Sequence, residues 1–532
     1  MRLPRFPARA RAAAVRLVAA VTAGATALAL GAVPRSGGPA GPAEPAGALA
    51  YAFGVENSWI RVQNIGAVPT NPQVDYYDEK GRLVASDVCP KAYVCPTLQP
   101  GEGWTFFQSQ NPGLPGGFRG SATITSEQPV VALQAKDVIR SGRFSIAGDT
   151  TTPSEGTHVI YLPLVASQDG PDRGWNSRFV VQNLGDTPAC VTLTYFSNYT
   201  DGPVLYDPYD PAEKRPRRLS GCPKGGRPIE PGGSLFRDPQ TMGVGPGFTG
   251  SVRITTHENK AGDDPDAQFI TAAADQYHAQ YSHFASYRGL ADTELGRSLI
   301  LPLIDREVGP LNQWSTHFQI VNKDPKKPAT VTLVFEGYDL NNGGAFVSKR
   351  NALQVRAARL CLQDRDDFAN CLAPGDRLPT NFVGTVKITA TQPVGVIVNR
   401  TSKYQDVFTD YRAIRPEDGG RKVLLPVLNK NYGPVGAAHG WNSWFRVMVT
   451  DGGVANVTVR YFGRDLPGGS VAYTMTVNRE ATVFQYLEPA LPDGFAGTAI
   501  IESDRPIAAV ANLTTDVFVG DPDLLYNGVT LQ

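Results

Sequence analysis

The chain repeats itself four times, and this self-similarity restricts the fold more than any single residue does. Asn57-Ser58-Trp59-Ile60-Arg61-Val62-Gln63-Asn64 returns as Asn176-Ser177-Arg178-Phe179-Val180-Val181-Gln182-Asn183, as Ser315-Thr316-His317-Phe318-Gln319-Ile320-Val321-Asn322, and as Asn442-Ser443-Trp444-Phe445-Arg446-Val447-Met448. A second phrase follows each copy: Gly117-Phe118-Arg119-Gly120, Gly247-Phe248-Thr249-Gly250, Asn381-Phe382-Val383-Gly384 and Gly494-Phe495-Ala496-Gly497. Similarity at a long period marks tandem copies of one folding unit. A length of 532 residues accommodates four units of roughly 100 to 200 residues.

Within a copy, apolar residues recur at every second position. Val191-Thr192-Leu193-Thr194-Tyr195, Val331-Thr332-Leu333-Val334-Phe335 and Val457-Thr458-Val459-Arg460-Tyr461 alternate large apolar with mostly polar side chains, as a strand does when one face packs and the other is wet. Copies two to four open with Leu162-Pro163-Leu164-Val165, Leu301-Pro302-Leu303-Ile304 and Leu425-Pro426-Val427-Leu428. Proline cannot donate to a ladder, so these segments are expected to be edge or first strands. The first copy has no such opening, and its first strand is expected at 50–55 or not at all. Glycine (55) and proline (43) are plentiful and charged residues are only 19%, which suits short strands joined by many turns. The pattern predicts an all-β chain of tandem antiparallel β-sandwich domains, strung as beads, with boundaries at 51–150, 151–290, 291–415 and 416–532. A propeller would need units of roughly 40 to 50 residues.

The N-terminus reads as an address. Arg2, Arg5, Arg9, Arg11 and Arg16 precede an uncharged apolar run from Leu17 to Val33, and a Pro/Gly/Ala linker occupies 34–50. Charged, apolar and small-residue regions in that order make 1–33 an export signal. The competing reading is an N-terminal anchor, because the run is near the roughly 17 residues that just span a bilayer. Nothing later reads as a membrane span. Six cysteines allow many pairings, but only Cys89–Cys95, Cys190–Cys222 and Cys361–Cys371 keep every bond inside its own copy. Disulfides and an export signal both point outside the cytoplasm, to the cell surface or the extracellular space.

Reacting groups are sparse. Lys+Arg and Asp+Glu both count 50, so no overall field draws the chain to nucleic acid or anionic lipid. Among the six histidines (His158, His257, His278, His283, His317, His439), none begins a zinc-protease motif, and nucleophile elbows and phosphate-binding loops are absent. No carboxylate pair recurs across the copies, and the expectation is a protein that is not an enzyme and has no cofactor. Acidic loops at Asp169–Asp172, Asp207–Asp210, Asp263–Asp266 and Asp364–Asp367 carry the oxygen ligands that a structural calcium takes, although solvated turns are the simpler reading. Trp175, Trp314 and Trp441 recur just before the Asn-Ser phrase. A flat indole can stack on a sugar, and packing at a sandwich edge is the competing reading.

The phrase Asn176–Asn183 followed by Val191–Phe196, in tandem units behind an export signal, resembles the immunoglobulin-like repeats of bacterial secreted and cell-surface proteins. The likeness covers most of the chain after Ala50 and rests on strands and turns, not reacting groups. It implies immunoglobulin-like sandwiches in a structural protein of an envelope layer, stalk or fibre that self-associates. The alternative it implies is an adhesin or carbohydrate- or protein-binding module, with the divergent loop 198–231 of the second copy contacting a glycan or another surface protein.

Overall fold

The computed structural model describes residues 19–23 and 55–531, apart from 91–94, 152–155, 171, 201, 211–214, 217, 218, 220, 223, 224, 257–267, 312, 368 and 434–439. The chain is all-β: among the described residues, helix is limited to five 3-10 turns of three residues each. Strand pairs are antiparallel except Gly520–Asp521, which runs parallel to Phe144–Ser145. The four copies of the first phrase form the strands Val55–Asn64, Trp175–Asn183, Trp314–Asn322 and Asn442–Val449. Each pairs with the strand that follows the Gly-Phe phrase or lies just after it: Val130–Arg140, Ile270–His278, Phe382–Ser402 and Phe495–Thr514. In the last two copies that strand is long enough to run from one layer of the repeat into the other, so each repeat is one continuous sheet.

The repeated phrases are consumed by the fold. The Ser or Thr hydroxyl accepts a backbone N–H of the opening strand, from Ala166 to Ser177 (2.9 Å), Asp305 to Thr316 (3.0 Å) and Asn429 to Ser443 (3.0 Å). The residue before it does the same two positions on, Gln168 to Asn176, Glu307 to Ser315 and Asn431 to Asn442. At the far end Asn64, Asn183 and Asn322 donate to carbonyls of the next turn and accept an N–H two residues ahead, an arrangement that ties a turn to its strand. In the second phrase, Phe118, Phe248, Phe382 and Phe495 are buried. A Cβ on the closing glycine of each would lie within about 2 Å of a carbonyl oxygen across the sheet, 1.9 Å at Gly120 and 1.8 Å at Gly250. Only glycine lets the two strands and the phenylalanine ring meet there.

The Leu-Pro strands are the first strands of their repeats, and each proline falls at a register break, where a missing N–H costs no ladder bond. The tyrosine of the closing strand donates to the carbonyl just after the proline: Tyr287 to Leu164 (2.7 Å), Tyr411 to Leu303 (2.5 Å) and Tyr526 to Val427. The first repeat has Asp149 at that register position. In the first repeat, Ala19–Ala23 pairs with Phe118–Ala122, on the ladder that the Leu-Pro strand uses in the second repeat, and the expected first strand at 50–55 lies outside the described residues except for Val55. Among the described residues, Asn57 Oδ1 is buried without a partner. The remainder of the export-signal and linker segments lies outside the described residues, as do 51–54.

Beads on a string is the expectation that needs correcting. The closing strands Arg143–Thr151, Phe284–Arg288, Phe408–Arg412 and Asp523–Asn527 touch in a closed circuit, first to second to third to fourth and back to first. Each repeat keeps its own apolar core, but three of those cores accept a side chain from the next repeat round: Ile397 enters the second, Val510 the third and Leu133 the fourth. The reason is that the wet face of each signature sheet is not wet. The residues opposite its third position, Ala135, Asp275, Asn399 and Asn512, are all buried, and the first three meet a neighbouring repeat.

Both ends of this hub are tied. The fourth repeat's loop passes over one end, where the Asp521 carboxylate oxygen Oδ2 accepts N–H bonds from Phe284 (2.9 Å) and Phe408 (3.0 Å). Burial raises the Asp521 carboxyl well above the usual range. Gly520 has φ 131° and passes so close to Phe144 that a Cβ would sit 2.1 Å from its carbonyl oxygen. At the other end Asp149 accepts from Arg288 N (3.0 Å) and Arg412 Nε (2.9 Å), and Asn527 exchanges two hydrogen bonds with the Arg412 backbone.

Candidate binding cleft

The four junctions between repeats use the same backbone positions with different chemistry. At the first, Lys136 donates to both Asp275 oxygens (2.7 and 2.9 Å), and Arg178 bridges Asp275 (2.8 Å) and Glu56 (2.6 Å). Burial pushes the Asp275 carboxyl up, but Lys136 and Arg178 outweigh it and hold it below the usual carboxylate range. At the second, the equivalent residues are neutral, Asn399 donating to Gln276 (3.0 Å). At the fourth, Leu513 and Ala135 share an apolar cluster. At the third, the two residues turn away into their own repeats: Arg400 bonds Asp305 (2.7 Å), and Asn512 donates to Asp523.

The tryptophan position shows the same divergence. Trp175 packs against His283 (5.4 Å, interplanar 4°) and against Phe408 of the third repeat (4.7 Å). Trp441 packs against Phe144 of the first repeat (5.9 Å) and Phe518 (6.1 Å). The first repeat has Glu56 there, bonded to Arg178. Trp314 meets no aromatic ring of its neighbour among the described residues. Its face is covered by the Arg400 guanidinium at 4.0 Å, a cation–π contact.

The result is a cleft of about 840 Å³ between the third and fourth repeats, within the range that holds a small ligand. Its third-repeat wall includes Asp305, Trp314, Arg400 and Tyr404; its fourth-repeat wall includes Asn442, Trp444, Thr482, Phe484 and Tyr486, and the hub loop with Phe518 closes one side. Phe484, Tyr486 and Tyr404 are 38%, 48% and 64% exposed. Arg446 is fixed from behind by the Pro302 carbonyl (2.8 Å), the Thr482 hydroxyl (3.0 Å) and Glu480 (2.5 Å). Asp523 lies deep in the cleft, where burial raises its carboxyl to about 6 against the pull of Arg400 and Asn512. By contrast, the gap left between the first and second repeats is about 20 Å³, room for about one water.

Of the three tryptophans singled out by sequence, only Trp314 lines the cleft; Trp175 and Trp441 are junction packing. The cysteines pair as Cys89–Cys95, Cys190–Cys222 and Cys361–Cys371, which fits a compartment outside the cytoplasm. His278 and His283 face Asp172 (3.1 Å) and Asp406 (3.2 Å), and burial lowers both imidazoles, His283 to about 4. The acidic loops spend carboxylates on cations, Asp207 on Arg227 and Arg237, and Asp366 and Asp367 on Arg377 and Arg365. Among the described residues no three metal-ligating side chains converge. His257, His439 and Asp263–Asp266 lie outside the described residues. The loop of 198–231 contacts the third repeat through Asn198 and Gln319. Among the described residues no helix is long and apolar enough to cross a membrane.

No protein-family model matches the chain, and no curated protein matches it. A solved structure with some likeness is the crystal structure of Thermotoga maritima 1070, at 14% identity over 21% of this chain and 96% of that chain. Its TM-score of 0.18 supports no inference about this protein.

Proposed function

We propose that this is an exported, non-catalytic recognition protein of four immunoglobulin-like sandwiches that binds its ligand between the third and fourth repeats. One observation carries the reading: of four junctions built on the same positions, three are filled and one is left open and lined with exposed aromatic rings. Exposed aromatics beside a concave, partly polar surface are expensive to maintain without a ligand. The envelope-layer and stalk roles that the resemblance implies give no reason for one junction to stay open. The disulfides support export.

The test is retention of the full chain on a panel of insoluble extracellular polymers, including cellulose, chitin, peptidoglycan and fibrous protein. The expected result is retention on at least one, abolished in the Tyr404→Ala/Phe484→Ala/Tyr486→Ala variant while its melting temperature stays that of the parent. Retention that survives this variant would remove the cleft from the function.

A further inference from the structure

The arginines of the cleft are already paired. Arg400 is held by Asp305, Arg446 by Glu480, and Arg143, at the rim, by Asp406 (2.6 Å). An anionic ligand would have to break one of these pairs; for a cationic ligand, Asp305 and Asp406 are already paired with arginines, and Asp523 is buried and bonded by Asn512. What remains on the walls is of two kinds. The rings of Phe484 and Tyr486, 5.5 Å apart and tilted by 54°, form a corner of aromatic surface facing the cleft. Around them lie uncharged hydrogen-bonding groups, Asn442, Thr482 and Gln405.

A ligand matching this surface is uncharged overall, presents an apolar face to an aromatic ring, and carries donors and acceptors around its edge. Proline-rich peptides also favour aromatic-lined grooves, but they are poor in donors, and this cleft offers them acceptors they cannot use. Building on the recognition reading above, we propose that the cleft binds a neutral oligosaccharide, with Phe484 and Tyr486 stacking on sugar faces and Asn442, Thr482 and Gln405 bonding its hydroxyls. A volume of about 840 Å³ admits several sugar rings and not merely one.

The experiment is isothermal titration of the full chain with neutral hexasaccharides (cello-, malto-, laminari- and chito-oligosaccharides), an oligogalacturonate and a proline-rich peptide. At least one neutral oligosaccharide should bind, and Phe484→Ala or Tyr486→Ala should weaken it about tenfold with the melting temperature unchanged. Salt should leave the affinity unchanged, since no net charge is matched. Binding of the galacturonate or the peptide alone, weakened by the same substitutions, overturns the sugar assignment and leaves the cleft as the site. Binding that neither substitution weakens, or no binding by any probe, overturns both.

Discussion

Between the first and second repeats, Lys136 and Arg178 close on Asp275 and leave about 20 Å³; between the third and fourth, Arg400 folds back onto Asp305 and Trp314 and leaves about 840 Å³. The two junctions occupy matching backbone registers. The backbone therefore sets where the repeats meet, and a few side chains decide whether the meeting is a seal or a cleft. Buried charge seals the first junction, and its groups depend on one another. At the matching positions of the third, Arg400 pairs with Asp305 inside its own repeat, and an ion pair between the two repeats, Arg479 with Glu336, is made elsewhere, so the cleft surface is free to engage something else.

The comparison breaks most visibly at Asp275. Asp275→Ala strands two buried cations and should cost about 3 to 5 kcal/mol in denaturant unfolding. A cost under about 1 kcal/mol would mean that the first junction is not the seal described. Removing the ring from the second repeat's Gly-Phe phrase, Phe248→Ala, should cost a comparable 3 to 5 kcal/mol by cavity formation, read as a lower midpoint, without altering ligand binding.

At the third junction the effects turn on pH. Asp523 has a folded-state carboxyl raised to about 6, so the stability it contributes is present below the ordinary carboxylate range and is lost as pH rises through about 6. Asp523→Asn cannot ionise. Its melting temperature should gain on the parent's from about pH 4 to about pH 7, and a difference that does not vary with pH would refute the burial of a charge there. Smallest of all, Phe484→Ala and Tyr486→Ala should change stability by no more than about 1 kcal/mol, since their rings are partly exposed and belong to the ligand side of the comparison.

Much of the fold could be read from the chain before any coordinate. The strand periodicity at Val191–Tyr195 and Val331–Phe335, the prolines at first strands and the intra-repeat cysteine pairs all express local rules of pleat, ladder and loop length. The closed circuit could not be read, because its contacts are made by positions whose residue type changes at every junction: Lys136 with Asp275, Gln276 with Asn399, Leu513 with Ala135. Repetition of sequence marks what is shared, and these contacts share only their register. The cleft was hidden for a related reason. Asp305, Arg400, Tyr486 and Asp523 lie far apart in the chain and converge only when the third and fourth repeats dock. Trp444 gave no signal either, because the first repeat carries Trp59 at the same third position of the signature, where it is buried outside the cleft.

The closed circuit of closing strands is built from one polypeptide. Four separate copies of a single unit would be bound by rotational symmetry, and any change that opened one seam would open all four at once. Covalent linkage removes that restriction, so a substitution such as the one that placed Arg400 beside Trp314 is confined to a single seam while the other three go on holding the molecule shut.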